Sequence, residues 1–253
     1  MRDHGEAMQA EFDTVAEWTA EVALDLGPDY HLPAGCRGSG SPGVLHWFID
    51  RLEMSERSRM LDCGAGVGGP AAFAAAEAGV RPILTEPETG ACRAARRLFD
   101  LPVLQAGSEM PFRDAAFDLA WSLGVLCTVP DQDHFLAELR RVLAPEGRLG
   151  LLVFVATTTP LAEQPEGNNF PTRERLYAVL ERAGLVVTSS ATASEFPGRP
   201  ALWDEQAAAV ESELARRHDQ DPVWQLAATQ SKIIGRLLDA GDLVGSMIIA
   251  RPR

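Results

Sequence analysis

The segment that most constrains this chain is ten residues long. Met60-Leu61-Asp62-Cys63 runs directly into Gly64-Ala65-Gly66-Val67-Gly68-Gly69, and an alanine-rich stretch over 70–78 follows, ended by Gly79. A short apolar run, a side-chain-free turn and a strong helix former, in that order, predict strand, loop and helix. Gly64, Gly66 and Gly69 satisfy G-x-G-x-x-G, while Gly64, Gly66 and Gly68 satisfy G-x-G-x-G. Either way, bare backbone sits at a helix N-terminus, whose free N–H groups favour anionic ligands. Glycines also serve ordinary turns. The strand before and the helix after are what tilt this loop toward a nucleotide-type ligand.

The same alternation continues downstream. Short apolar runs over 83–85, 102–105 and 117–122 predict strands, and 91–99 and 131–143 predict helices. Pro145-Glu146-Gly147 turns the chain into a fifth strand over 148–155. Strands alternating with helices imply a parallel sheet covered on both faces, and the near-continuous apolar strands agree with two-sided burial.

The flanks read as helical. Met8, Phe12, Val15, Trp18, Val22 and Leu26 form one apolar stripe stopped by Gly27-Pro28. Residues 30–40 are too glycine-rich for a core element and read as a loop. Ser41-Pro42 then opens a helix carrying Leu45, Phe48, Ile49 and Leu52. Beyond a polar loop over 163–169, we expect a helix over 172–183, a strand over 185–189, helices over 202–217 and 222–239, and a last strand over 243–251. The expectation is one doubly wound α/β domain over 1–253. Its parts are an N-terminal helical lid (1–57), a ligand-binding core (58–155) and the remaining sheet with a helical cap (156–253, cap 201–240).

Composition narrows the ligand. Lys plus Arg is 23 against 36 Asp plus Glu, a net charge of −13. Nucleic-acid binding starts from a basic face, so a polynucleotide partner is not expected. The longest apolar stretch, 149–156, is far below the roughly 20 residues of a membrane span, so no membrane association is expected. The N-terminus reads Met1-Arg2-Asp3-His4-Gly5-Glu6 without an apolar signal region. Cys36, Cys63, Cys92 and Cys127 form no C-x-x-C pair, which predicts free thiols in a cytoplasmic protein and no structural metal site. Lys232 is the sole lysine, a skew toward arginine that fits a GC-rich bacterial genome.

Which nucleotide follows from two acids. Glu86 closes the second strand 20 residues after Gly66, where a carboxylate can hold a ribose diol. No lysine lies near the loop, so a Walker phosphate loop is excluded. Asp62, two residues before Gly64, is awkward for a pyrophosphate and better suits a cationic ligand such as an amino-acid ammonium beside a sulfonium. An NAD(P)-dependent oxidoreductase remains the alternative on the glycines alone.

Leu61-Asp62-Cys63-Gly64-Ala65-Gly66-Val67-Gly68 resembles the first motif of class I S-adenosylmethionine-dependent methyltransferases, in the small-molecule branch similar to ubiquinone/menaquinone-biosynthesis methyltransferases. Leu84-Thr85-Glu86-Pro87 resembles their acidic second motif. Met110-Pro111-Phe112, Phe117-Asp118-Leu119-Ala120 and the run from Leu136 to Arg148 resemble the later blocks. The resemblance runs from residue 60 to about 154. It implies a Rossmann-like seven-stranded sheet whose last strand is antiparallel. It also implies S-adenosylmethionine as cofactor, S-adenosylhomocysteine as product, and a small-molecule acceptor. Asp62 and the backbone at Cys63, Gly64 and Gly66 would then surround the methionyl part, Glu86 the ribose, and Ser122 and Leu123 the reacting methyl. One departure stands out. Ala106 occupies the position where the family often has an acid for adenine, which leaves Gly107, Ser108 and Met110 to contact that ring. A non-catalytic protein that only binds the cofactor therefore stays open.

Methyl transfer from a sulfonium needs orientation above all, and a base only for a protonated acceptor. His31, in the glycine-rich segment, and Cys127, after the fourth strand, are the candidate bases. Tyr30, His31, Cys127, Asn168, Asn169, Trp203 and Trp224 are the candidate acceptor contacts, and Arg37 a candidate for a carboxylate of cofactor or substrate. Each also has a plain reading: surface histidine, buried thiol, turn asparagines, helix-packing tryptophans. No residue pattern names the acceptor.

Overall fold

The computed structural model describes residues 4–196 and 200–253, with side chains of the first helix from Phe12 onward. Met1-Arg2-Asp3 and the Met8 side chain lie outside the described residues. Seven strands form one sheet: β1 (Arg59–Cys63), β2 (Arg81–Glu86), β3 (Val103–Gln105), β4 (Phe117–Leu123), β5 (Leu143–Ala156), β6 (Leu185–Thr192) and β7 (Leu243–Pro252). Their spatial order is β3-β2-β1-β4-β5-β7-β6. β1 to β5 pair in parallel, and β7 runs antiparallel between β5 and β6. The order reverses at β1/β4, which in open α/β sheets is where ligands bind beyond the carboxyl ends.

The helices are α1 (His4–Leu26), α2 (His31–Gly35), α3 (Pro42–Leu52), α4 (Gly69–Ala78), α5 (Thr89–Phe99), α6 (Gln132–Val142), α7 (Arg173–Arg182), α8 (Ala201–His218) and α9 (Pro222–Asp239). Strand alternation splits the core between two faces. Leu61, Ala120, Leu149, Leu151 and Ile248 pack with α6 and α7, whereas Met60, Leu119, Trp121, Leu152 and Met247 pack with α3 and α4. Outside these layers α1 lies along α5, and α8 and α9 close on α1 through Val15, Val22, Val210, Leu214 and Trp224.

Four expectations are corrected. The 30–40 segment is not simply a loop: Pro28–Tyr30 is a 3-10 turn and α2 follows, with Pro33, Ala34 and Gly35 buried. A five-residue helix has no periodicity to read, and small residues let it dock where bulkier ones would not fit. β5 starts at Leu143 rather than 148 because Leu143 pairs with Phe117, and the ladder then breaks register before resuming at Leu119–Arg148. β6 extends to Thr192 because β7 continues to pair with it. In the α1 stripe, Phe12 is 48 % exposed, while Thr19, Ala20 and Ala23 are buried, so the helix is turned slightly from the face the large residues suggest.

Candidate active site

The loop after β1 is shaped by backbone needs. Gly64, Gly66 and Gly68 all take positive φ, at +75°, +54° and +84°, which L side chains rarely adopt. A Cβ on Gly66 would meet nothing within 4 Å, so open space lies beside this residue. Gly69, the first residue of α4, is the opposite case. A Cβ there would lie 2.6 Å from the Cys36 amide nitrogen and closer still to the Gly35 carbonyl. On the other side, a Cβ on Gly35 would lie 2.8 Å from Gly69 Cα. The end of α2 is therefore set backbone to backbone against the start of α4. Farther on, a Cβ on Gly124, just after β4, would sit 2.9 Å from the Gly38 carbonyl oxygen. Residues 35–38 thus run across the mouth of the switch point.

Two carboxylates stand at that mouth. Glu86 is 6 % exposed; its Oε2 accepts the Gly66 N–H at 2.8 Å and its Oε1 accepts the Glu88 N–H at 3.2 Å. Burial pushes its carboxyl up to about 6 against these two bonds. Each carboxylate oxygen has a further lone pair, so Glu86 retains capacity for hydroxyl donors. Asp62 is 2 % exposed, and its Oδ2 has no hydrogen-bond partner. Its β4 neighbour in the ladder is Trp121, whose indole N–H is likewise buried and unpaired. Desolvation drives the Asp62 carboxyl up to about 7; the Trp121 indole pulls it down and Glu86 pushes it up.

Thr85 and Ser122, at the ends of β2 and β4, also carry buried, unpartnered hydroxyl oxygens. Buried polar atoms are nearly always satisfied. A cluster of unmatched ones around an open glycine loop is what a polar ligand would complete. A donor with an ammonium, a ribose diol and a sulfonium fits this set: two acids favour positive charge and oppose a pyrophosphate. A fully extended array of amides with no acid would favour the reverse.

Residues 61–151 match a family described as a methyltransferase domain. Over these residues the chain is similar to methyltransferase domains. Methyltransferase GfsG of Streptomyces halstedii is 31 % identical over 123 residues, covering 44 % of this chain and 43 % of that one. Two solved structures share the fold. The [4+2]-cyclase SpnF has a TM-score of 0.65 at 23 % identity, covering 83 % of this chain and 80 % of that one. Geranyl diphosphate C-methyltransferase from Streptomyces coelicolor A3(2), in complex with Mg2+, geranyl diphosphate and S-adenosyl-L-homocysteine, has a TM-score of 0.59 at 18 % identity, covering 83 % and 78 %. The chain spans between 27 % and 55 % of the length of the curated relatives it matches. The oxidoreductase alternative draws no support from these likenesses.

Within this matched region, the expected donor contacts converge. Asp62, Cys63, Gly64, Gly66, Glu86, Ser122 and Leu123 all lie at the carboxyl ends of β1, β2 and β4 or on the loop. Gly107 is exposed and Ser108 half-buried in the bend after β3, where Ala106 N–H donates to the Glu86 carbonyl. Met110 is different. It is buried in the core against α6, its amide donating to Glu138 Oε2 and its carbonyl accepting from Arg141. Arg37 is turned to the surface, where it pairs with Glu211 on α8 at 3.1 Å.

The acceptor candidates do not converge. His31 opens α2 with its ring edge-on to Phe99, 6.4 Å between centroids, and Tyr30 packs with α1 and α8. Cys127 is buried among Ala156, Phe170, Ile233 and Leu237, its thiol donating to the Gly124 carbonyl. Burial pushes that thiol up to about 12, so it stays protonated at neutral pH. Asn168 makes bonds within its own loop, to the Glu166 carbonyl and from Gln164. Asn169 contributes backbone, its N–H to Cys127 and its carbonyl to Gln132. Trp203 packs edge-on to Phe73 of α4, and Trp224, 5 % exposed, packs α9 against α1 and α8.

Several contributors carry little local signal. Asp13 on α1 accepts the Gly90 N–H at the start of α5, one turn from Glu86. Gln132 donates to the carbonyls of Leu126 and Asn169, tying the turn after β4 to the segment before α7. Gly35 is legible only as one glycine among several.

Proposed function

We propose that the protein transfers a methyl group from S-adenosylmethionine to a small organic acceptor by in-line displacement, leaving S-adenosylhomocysteine. The observation that carries this is Asp62: a buried carboxyl with an unmatched oxygen, beside a glycine loop that a second carboxylate braces. In this reading Asp62 takes the ammonium and the backbone at Cys63, Gly64 and Gly66 lines the methionyl part. Glu86 takes the ribose hydroxyls, and Gly107 and Ser108 border adenine. Ser122 and Leu123 lie beside the methyl. The geranyl diphosphate enzyme, crystallised with the demethylated product, supports both the cofactor and a small acceptor. The cyclase with the same fold is a reminder that chemistry belongs to the site and not the scaffold.

The donor supplies the methyl and the leaving group, so the protein's task is to align and desolvate. Alignment alone supplies roughly 7–11 kcal/mol. No histidine–carboxylate dyad is assembled at the loop, and the Cys127 thiol is held neutral by its apolar surroundings. Helices α1, α2, α8 and α9 act as the lid that fixes the acceptor, with Trp203 and Trp224 holding it rather than touching the substrate. A cytoplasmic location fits the four buried thiols, none of them paired. No helix among the described residues is long and apolar enough to cross a membrane.

Calorimetric titration with S-adenosylhomocysteine and with NAD tests the donor, and turnover on a panel of hydroxyl, amine and thiol acceptors tests the reaction. Binding of S-adenosylhomocysteine without NAD binding is expected. NAD binding alone would overturn the reading.

A further inference from the structure

Asp62 lies where an ionised carboxylate is hard to sustain. It is 2 % exposed, and its Oδ2 has no hydrogen-bond partner. Its ladder neighbours are Leu84 on β2 and Trp121 on β4. The groups that act on it or that it acts on are few: the Trp121 indole, the Cys36 thiol after α2, the Cys63 thiol beside it, and Glu86 at the end of β2. Of these, Glu86 alone carries charge, and it is of like sign. From α3 and α4, His46 and Glu77 pair with each other at the surface, 3.2 Å apart. A buried carboxylate with no cation and an open oxygen costs several kcal/mol, which a bound proton removes.

We propose that capture of the methyl donor is coupled to loss of a proton from Asp62, so that the ligand-free protein holds this carboxyl neutral and the arriving ammonium ionises it. The inference rests on the donor reading above. In the step, the O–H bond of Asp62 breaks and its proton goes to solvent. The ligand ammonium keeps its own proton and faces the new carboxylate. No electron moves. The placement of Asp62 near 7 when ligand-free supports this. Affinity should then fall as pH drops below about 7, approaching tenfold per unit. It should be flat above about 7 until the ligand's own ammonium loses its charge at higher pH. Glu86 ionises lower, near 6, and adds a second, lower step.

The experiment is calorimetry of S-adenosylhomocysteine binding to the full chain, in buffers of different ionisation enthalpy. From Asp62 we expect most of a proton to be released at pH 6.5 and little at pH 7.8, because its carboxyl lies near 7. Asp62→Asn should remove the Asp62 share of the release, leaving only the smaller contribution of Glu86, and should make the fall of affinity between pH 7.8 and 6.5 shallower. A second measurement needs no ligand. With its folded value raised above the unfolded one, Asp62 binds a proton in the native state that the unfolded chain has lost. Ligand-free wild type should therefore lose stability as pH rises from about 4 through 7, and Asp62→Asn should lose less. Binding without proton release at pH 6.5, or equal pH slopes for wild type and Asp62→Asn, overturns the coupling and leaves the donor reading standing. Absence of binding at both pH values overturns the donor reading itself, and the coupling with it.

Discussion

At the carboxyl ends of β1, β2 and β4, positions are set by main chain and by side chains buried to within a few per cent. In α1, α2, α8 and α9, which flank that region, they are set by one apolar seam and a fringe of exposed charge. Glu86 grips two backbone amides, and Asp62 is locked between two strand neighbours. The helices, by contrast, share Val15, Val22, Val210, Leu214 and Trp224, with Trp18 stacked on His218 at 3.8 Å. Around them Arg217 pairs with Asp25, Arg37 with Glu211, and Arg93 with Glu17. Exposed pairs of this kind contribute about 0–1 kcal/mol each. The difference teaches that the donor half is rigid by construction, whereas the cap depends on its seam and can vary around it.

Breaking the seam gives the largest expected effect. Trp224→Ala should cost about 3–5 kcal/mol of stability, the range for emptying a buried tryptophan site, yet change S-adenosylhomocysteine affinity less than threefold. Thermal melting and calorimetry on the same sample separate the two numbers. A lost affinity with the fold intact would make the cap part of the donor site and erase the distinction.

The donor half should respond in the reverse sense. Glu86→Ala should weaken S-adenosylhomocysteine binding by about 1.5–3 kcal/mol, the scale for hydrogen bonds to a charged group. An unchanged dissociation constant moves the ribose contact elsewhere.

Gly69→Ala tests the joint between the halves. Helix propensity alone would stabilise α4 by about 0.8–1 kcal/mol. The new methyl, however, meets the Gly35 and Cys36 backbone, and overpacking of this kind costs about 1–3 kcal/mol. We expect a net loss of up to about 2 kcal/mol, with protease cleavage appearing between residues 30 and 40. A gain in melting temperature would show that α2 does not press on the loop. The smallest effect should come from Glu211→Gln, below about 1 kcal/mol in stability and vanishing at high salt. A larger loss would place the ion-pair fringe on a par with the seam.

What could be read from the sequence follows the same line. The strand–loop–helix at 60–78 and the acid 20 residues beyond Gly66 were legible because period, glycine and spacing are local signals. The antiparallel last strand came with the family resemblance. The docking of α2 was not legible, since five residues cannot show a helical stripe and Gly35 matters only through Gly69. Nor was the juxtaposition of Asp62 and Trp121, which depends on parallel register between positions 59 residues apart. Cys127 was open to reading as a base beside its plainer reading as packing, and Phe170, Ile233 and Leu237 enclose it. Trp203 and Trp224 stood out by their position in the helical region between the last two strands, and the structure uses both in helix packing.

The antiparallel β7 has a consequence for how the chain is made. It lies between β5 and β6, so neither strand has its final neighbour until residues 243–252 have left the ribosome. β6 ends at Thr192, about 50 residues earlier, and α8 and α9 are made in between. At roughly 5–20 residues per second, that leaves β6 unpaired for ~3–10 seconds after it is made, and the edge of β5 stays open throughout. Open edges are templates for pairing with the wrong chain. The long helical insertion before the last strand therefore sets a waiting time in synthesis, and slow codons or a stall within residues 201–242 should raise aggregation of newly made chains without altering the finished protein.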